Sequence, residues 1–261
     1  MLAVDNLNVT IANQQLLTNI GFHLEENDYL CILGANGAGK STLLKTLIGI
    51  ITPTSGKIML GQQNIDQLSQ KQRACQLAYV AQNHSPYTDF QVDDFIRLAR
   101  YPYHRGLSDW SQQDQHAYER AVTITDTDSF LSRQLDSLSG GERQRVMIAA
   151  AVCQQTPILL LDEPTSFLDP HHQAAVHRLT QQLNQQHGIT IIEVTHDFNH
   201  AVQHSKHILA LKNGHAHWHG QACDVFNDGL LTDIYQQNFT LVTHPDTGIR
   251  FALPANSLVE Q

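Results

Sequence analysis

GANGAGKST, Gly34 to Thr42, stands between an apolar run, DYLCIL at Asp28–Leu33, and a run of helix formers that begins at Lys40 and ends near Gly49. Gly34 followed by Gly39-Lys40-Ser41 has the spacing of a phosphate-binding loop, and strand before with helix after is the context that loop requires. Glycines let backbone N–H groups turn inward around phosphate oxygens. The N-terminus of the following helix adds the positive end of its dipole. Lys40 is expected to reach the β- and γ-phosphates and Ser41 to ligate Mg²⁺. Gly34, Asn36, Gly37, Gly39, Lys40, Ser41 and Thr42 together make the expected nucleotide contact.

A second half of such a site is ILLLDE, Ile158 to Glu163. An apolar strand ending in two acids carries both to its carboxyl edge, where ligands bind in parallel sheets. Asp162 is expected to hold Mg²⁺ through water, and Glu163 to act as general base on the attacking water. These two motifs describe a P-loop nucleotide hydrolase, a class that spans kinases, GTPases, helicases and transport ATPases.

The remaining pattern sets the layout. The chain has 261 residues, 41% of them apolar, enough for one large domain or two smaller ones. Basic residues number 16 against 25 acidic ones, a formal charge of −9, which makes nucleic acid a poor expected partner. No apolar run is long enough to cross a bilayer, and the N-terminus shows no signal-peptide pattern. Cys31, Cys75, Cys153 and Cys223 form no CxxC pair, which fits reduced structural thiols. Short strands open the chain. From about Val92 to Val152 the pattern turns helical, in VDDFIRLAR, SQQDQHAYERAVTIT and GGERQRVMIAAAVCQQ. Strand–helix alternation then resumes through PILLLDE, ITIIEVTHD and a hairpin turning at Asn213-Gly214. This order predicts a mainly parallel α/β sheet with an inserted helical part.

LSGGERQR, Leu138 to Arg145, narrows the class. Ser139, Gly140 and Gly141 open a strong helix and form a second phosphate-binding helix terminus. One γ-phosphate has no need of two such sites within one chain, whereas two chains head to tail would use both.

With that motif in place, the sequence resembles an ATP-binding cassette (ABC) ATPase over nearly its whole length. The order is a P-loop at Gly34, Gln82 in YVAQ, the signature at Leu138, the acidic strand at Asp162, SFLD with Asp169, and VTHD with His196. The resemblance implies a P-loop NTPase fold, with a RecA-like core, an antiparallel β N-terminal part and an inserted α-helical subdomain. The ATPase domain would span 1–239, its core 1–88 and 155–239, the helical subdomain 89–154, and a tail 240–261. It also implies a head-to-tail homodimer holding two ATP molecules. Ser139, Gly140 and Gly141 would then face the γ-phosphate on the partner's P-loop, and Asp169 would couple the two sites. Gln82 would sense Mg²⁺ and the attacking water, and His196 would contact the γ-phosphate beside Glu163. The aromatic residue that relatives stack on adenine is missing; its place holds Ile11 or Ala12.

Within the family, ARYPYHRG (Ala99–Gly106), DEPTSFLDPHHQ and THPDTGIRFALP resemble the ATPases of iron-siderophore, haem and cobalamin importers. That subfamily implies two integral membrane permease subunits, a periplasmic or lipid-anchored solute-binding protein, and a peripheral position on the cytoplasmic side of the inner membrane. ARYPYHRG would be an edge on which the permease docks, with Arg100 and Tyr101 reaching it. A manganese or zinc importer ATPase and a soluble ABC ATPase are the alternatives. Sixteen histidines invite a metal reading. His196, His200 and His204 could share a helical face, and His215, His217 and His219 one face of a strand. His196 already has its γ-phosphate role, and no carboxylate or cysteine completes a tetrahedral set with the hairpin histidines, which favours ordinary polar surface.

Overall fold

A computed structural model describes residues 1–82, 90–104, 109–226 and 229–255 of the chain. The expected boundary at 88/89 and two members of the ARYPYHRG stretch, Arg105 and Gly106, lie outside the described residues.

The chain begins with β1 (Leu2–Ile11) and β2 (Gln14–Leu24), an antiparallel pair, then β3 (Tyr29–Leu33) and α1 (Lys40–Leu47). Next come β4 (Ser55–Leu60), β5 (Gln63–Asn64), the short α2 (Gln70–Ala74) and β6 (Leu77–Val80). Three helices follow without an intervening strand: α3 (Val92–Leu98), α4 (Gln112–Thr125) and α5 (Gly140–Cys153). Alternation returns with β7 (Ile158–Asp162), α6 (Pro170–Gln185), β8 (Thr190–Val194) and α7 (Phe198–His204). The chain closes with β9 (His207–Lys212), β10 (His215–Gln221), α8 (Leu230–Tyr235), and the hairpin of β11 (Phe239–Thr243) and β12 (Arg250–Pro254). The closing hairpin is tied to the rest of the chain: Asn199 of α7 clasps the backbone of Ala252, donating at 3.1 Å and accepting at 2.8 Å.

Ten strands form one sheet in the order β5-β4-β1-β2-β10-β9-β3-β8-β7-β6. The half from β9 to β6 is parallel, and the β1, β2, β4, β5 half antiparallel. Every residue of β3, β7 and β8 is buried, as strands covered on both faces must be. Each Leu, Ile or Val buried this way contributes roughly 1.5–3 kcal/mol. Two acids interrupt this apolar wall: Asp162 at the end of β7 and Glu193 inside β8, 3% and 0% exposed.

One contact joins the halves. His215 of β10 pairs with Thr18 of β2, and Thr18 N–H donates to Gly214 O at 2.8 Å. The β9–β10 tip, Asn213-Gly214, has positive φ at both positions and passes beneath the P-loop, where Gly214 N–H donates to Ala38 O at 3.1 Å. A β-carbon on Gly214 would lie 2.5 Å from Leu16 O.

The helices start where their sequence says they should. Ser111 and Ser139 cap α4 and α5 in reciprocal capping boxes with Asp114 and Glu142, and Asp169 caps α6 ahead of Pro170. Two of these helix starts, Ser139 and Asp169, are also expected site residues.

Candidate functional site

The P-loop leaves the carboxyl edge of β3 between the ends of β8 and β9. Gly34 has φ +154°, and a β-carbon there would lie 2.5 Å from Leu211 O; Gly39 has φ +102° and would meet Leu17 Cδ2 at 2.6 Å. Only glycine fits where the loop passes so close to the strands behind it. Lys40 is buried and folds back over the loop, donating to Gly34 O at 2.8 Å and Ala35 O at 3.0 Å. Burial lowers its pKa, and the nearby Glu163 and Asp162 oppose that shift.

Asp162 and Ser41 meet at 3.1 Å, and Tyr79 donates to the other Asp162 oxygen at 3.0 Å. Burial raises the Asp162 pKa, with the Tyr79 and Ser41 hydrogen bonds offsetting part of the rise. Burial and the Asp162 charge together push the Tyr79 phenol up. Tyr79 sits on β6 beside β7 and was not among the expected site residues; an aromatic hydroxyl in the YVAQ strand was the available signal.

Glu163 takes a left-handed backbone conformation, φ +50°, with its N–H on Val194 O at 2.9 Å. That kink turns its carboxylate away from Asp162 and into the cavity. Three side chains hold it. Gln82 Nε2 donates to Oε2 at 2.6 Å, Ser166 Oγ donates to the same oxygen at 2.9 Å, and His196 Nε2 contacts Oε1. Gln82 thus faces Glu163, while Ser41 and Asp162 pair with each other.

Lys40, Ser41, Gln82, Glu163, Ser166 and His196 line one cavity of about 790 Å³, together with Asn36, Gly37, Gly39, Thr42 and the exposed Phe167. Its β2 wall is made by Gln14 and Leu16. Ile11 and Ala12, the expected base-side positions, are not among its lining residues, whereas Leu16 is.

Ser139, Gly140 and Gly141 do not line this cavity, nor does Asp169. They meet one another elsewhere: the His172 ring fills the space beside Gly141, and its Nδ1 lies 2.7 Å from Asp169 Oδ2. Ser139 and Gly140 are exposed at the start of α5.

ARYPYHRG is divided by its environment. Arg100, expected on a docking edge, is 2% exposed and points inward. It donates to Asp114 Oδ1 at 2.8 Å, Cys153 O at 3.0 Å and Gln155 Oε1 at 3.1 Å, under the Tyr103 ring. Tyr101, by contrast, is 74% exposed. The histidines also divide. His196 faces the nucleotide cavity, whereas His200 and His204 turn the other way, their ring centroids 4.6 Å apart. In β10 a register shift at His217 breaks the alternation of His215, His217 and His219, and no metal-ligand cluster forms from them among the described residues.

Residues 17–166 match the family model described as ABC transporter. The chain is 36% identical over 247 residues to the achromobactin transport ATP-binding protein CbrD of Dickeya dadantii, covering 94% of this chain and 92% of that one. It is 33% identical to the ferric enterobactin transport ATP-binding protein FepC of Escherichia coli, over 90% and 87% of the two chains. The hemin import ATP-binding protein HmuV of Streptomyces coelicolor is 32% identical, over 98% and 90%. Among solved structures, a chain from a proposed metal-chelate type ABC transporter in an inward-facing conformation superimposes with a TM-score of 0.86 at 27% identity, covering 98% of each. The dimeric cassette MJ0796 bound to ADP and Pi superimposes with a TM-score of 0.74 at 26% identity, over 85% and 99%.

Proposed function

The chain belongs to the ABC transporter family, and from that membership we propose that it is the ATP-hydrolysing subunit of an importer for an iron chelate or haem. The observation that carries the hydrolytic part is the Glu163 carboxylate, held by Gln82, Ser166 and His196 in the cavity walled by the P-loop. Relatives named for achromobactin, ferric enterobactin and hemin support the cargo class.

On this reading the P-loop amides and Lys40 bind the phosphates, and Lys40 exchanges its bonds to Gly34 and Ala35 carbonyls for phosphate oxygens. Glu163 accepts the proton of the attacking water, and Gln82 and Ser166 fix the direction in which it accepts. His196, on the other carboxylate oxygen, links Glu163 to the γ-phosphate side of the cavity. The hydroxyl of Ser41 and the carboxylate of Asp162, 3.1 Å apart, are oxygen donors of the kind Mg²⁺ prefers. Mg²⁺ bound there would neutralise phosphate charge. Leu16 offers the base an apolar surface in place of an aromatic ring.

Two chains head to tail would bring the α5 start of each, where Ser139 and Gly140 are exposed ahead of the buried Gly141, to the other's cavity, with Asp169 between the sites. Phe167, 90% exposed on the cavity rim, supports that arrangement, since a partner would cover it. The permease would dock on the opposite surface. Tyr101 is exposed, with Lys71 Nζ 5.6 Å from its ring centroid, and the exposed Ile50 lines a cleft of about 580 Å³ together with Ile48, Gly49, Arg73 and Tyr79. Among the described residues no helix is long and apolar enough to cross a membrane. A peripheral subunit on the cytoplasmic face, with a solute-binding protein on the far side, completes the assembly.

The test is uptake of radiolabelled ferric siderophores and of haem in cells lacking the chain, complemented by wild type or by Glu163→Gln. Wild type should restore uptake of one of these cargoes and Glu163→Gln should not. Undiminished uptake of all of them in the deletion strain overturns the cargo assignment.

A further inference from the structure

On the far side of β8 from the nucleotide cavity lies a second constellation of ionisable groups, which hydrolysis does not use. Glu193 is the fourth residue of a fully buried strand and is itself 0% exposed. A carboxylate in that position must be compensated. Its Oε2 accepts from Tyr29 Oη, while Oε1 has no hydrogen-bond partner among the described residues. Facing it is His200 from α7, 5% exposed, with neither ring nitrogen hydrogen-bonded. His200 Nε2 lies 3.8 Å from Glu193 Oε2, too far for a hydrogen bond. His177 from α6 stacks on His200, ring centroids 3.5 Å apart and planes 12° from parallel, and its Nε2 is also buried without a partner.

We propose that His177, Glu193 and His200 bind a divalent transition-metal ion of the zinc class, with His204 alongside as a further donor.

Buried polar atoms in a folded protein are almost always paired. Here a carboxylate oxygen and three imidazole nitrogens from two rings are left over in one place. One ligand atom from each of the three residues lies within 4.8 Å of the others. What such a set lacks is positive charge at its centre. An imidazole gives a metal its in-plane lone pair, so the stacked His177 and His200 rings would turn on their side-chain torsions to bring theirs together beside the carboxylate. Two or three imidazoles with one carboxylate suit Zn²⁺ and its neighbours in the first transition row, not Mg²⁺ or Ca²⁺, which take oxygen ligands. The surroundings resemble a ligand-orienting shell. Tyr29 donates to the carboxylate, and its oxygen lies 3.2 Å from Thr180 Oγ1 on α6. His204, half-buried with an unpaired Nδ1, stands next to His200 and leaves a route to the surface.

The ligands come from three elements that lead to the nucleotide site. β8 runs from Glu193 directly into His196, α7 begins just after it, and α6 begins at Asp169. An ion here would brace all three from behind. The site does not depend on the identity of the imported cargo.

The experiment uses the full chain stripped of metal with a chelator and titrated with Co²⁺, then Zn²⁺. Wild type should develop Co²⁺ d–d bands of tetrahedral intensity that Zn²⁺ abolishes, and Zn²⁺ should raise Tm by about 5 °C. Glu193→Gln and His200→Leu should lose the bands, one bound equivalent and the Tm rise, while metal-free samples still bind a fluorescent ATP analogue. His177→Leu, at a partly exposed position, replaces either variant should it fail to fold. Absence of Co²⁺ bands in wild type at micromolar metal overturns the proposal. So does an undiminished signal in the folded variants, which would move the binding to the surface trio Asp169, His171 and His172.

Discussion

His172 occupies the space that a side chain at Gly141 would need: a β-carbon there would lie 2.0 Å from His172 Cδ2 and 2.8 Å from its Cβ. The start of α5 and the start of α6 therefore interlock within one chain, through a ring that also bonds Asp169. Gly141→Ala should overpack this joint by about 1–3 kcal/mol and push His172 off Asp169. The expected result is a lower Tm for Gly141→Ala, largely restored in Gly141→Ala/His172→Ala. A double variant no more stable than Gly141→Ala would remove His172 as the cause.

Glu163→Gln keeps the shape of the side chain and its contacts with Gln82 and Ser166 but loses the proton acceptor. ATP affinity should stay within a few-fold of wild type, while turnover falls by roughly 10²–10⁴. Equilibrium nucleotide binding and phosphate release, measured on the same preparation, separate the two effects. Nucleotide-loaded Glu163→Gln should also accumulate as a dimer on size-exclusion chromatography.

Arg100 and Tyr101 are adjacent in sequence and opposite in environment, so their alanine variants should separate. Arg100→Ala strips the buried Asp114 of its guanidinium partner, leaving it the Ser111 hydrogen bonds and His104 Nε2 at 3.4 Å, and should cost about 3 kcal/mol by urea unfolding. Tyr101→Ala should change stability by less than about 0.5 kcal/mol. It should nonetheless reduce transport in the assembled complex while sparing the ATPase activity of the isolated chain.

The same ion pair sets an acid limit. Burial alone would raise the Asp114 pKa, but hydrogen bonds from Ser111 and Arg100 outweigh it and bring it down to about 2. A carboxyl depressed in the folded state stabilises the fold above its unfolded pKa of about 3.9, and that contribution disappears as pH falls through the folded value. Between about pH 5 and pH 2, wild type should lose about 2–3 kcal/mol more than Asp114→Asn. Parallel acid unfolding curves for the two would contradict this.

Motifs that are continuous in sequence could be read directly. The P-loop, ILLLDE and the capped start of α5 each carry their chemistry within a few residues, and a strand or helix beside each fixes its direction. Features that depend on partners distant in sequence could not. Arg100 looked like surface because Asp114, Cys153 O and Gln155 are brought to it only by the packing of α3, α4 and α5. His177, Glu193 and His200 come from three elements. Their sequence signals were a glutamate inside the run TIIEV and the spacing of His200 with His196 and His204, while nothing marked His177 as their partner.

The β9–β10 tip bears on how the molecule can be instrumented. Hairpin tips are the usual places to attach a label or fused domain, yet Asn213-Gly214 is wedged between β2 and the underside of the P-loop, so any added group there would displace Ala38 and Leu16. The turn between β4 and β5 is its opposite. A β-carbon on Gly61 meets nothing within 4 Å, and Gln62 beside it is exposed. A reporter placed at that turn would ride on the outer edge of the antiparallel half-sheet and leave the nucleotide cavity intact.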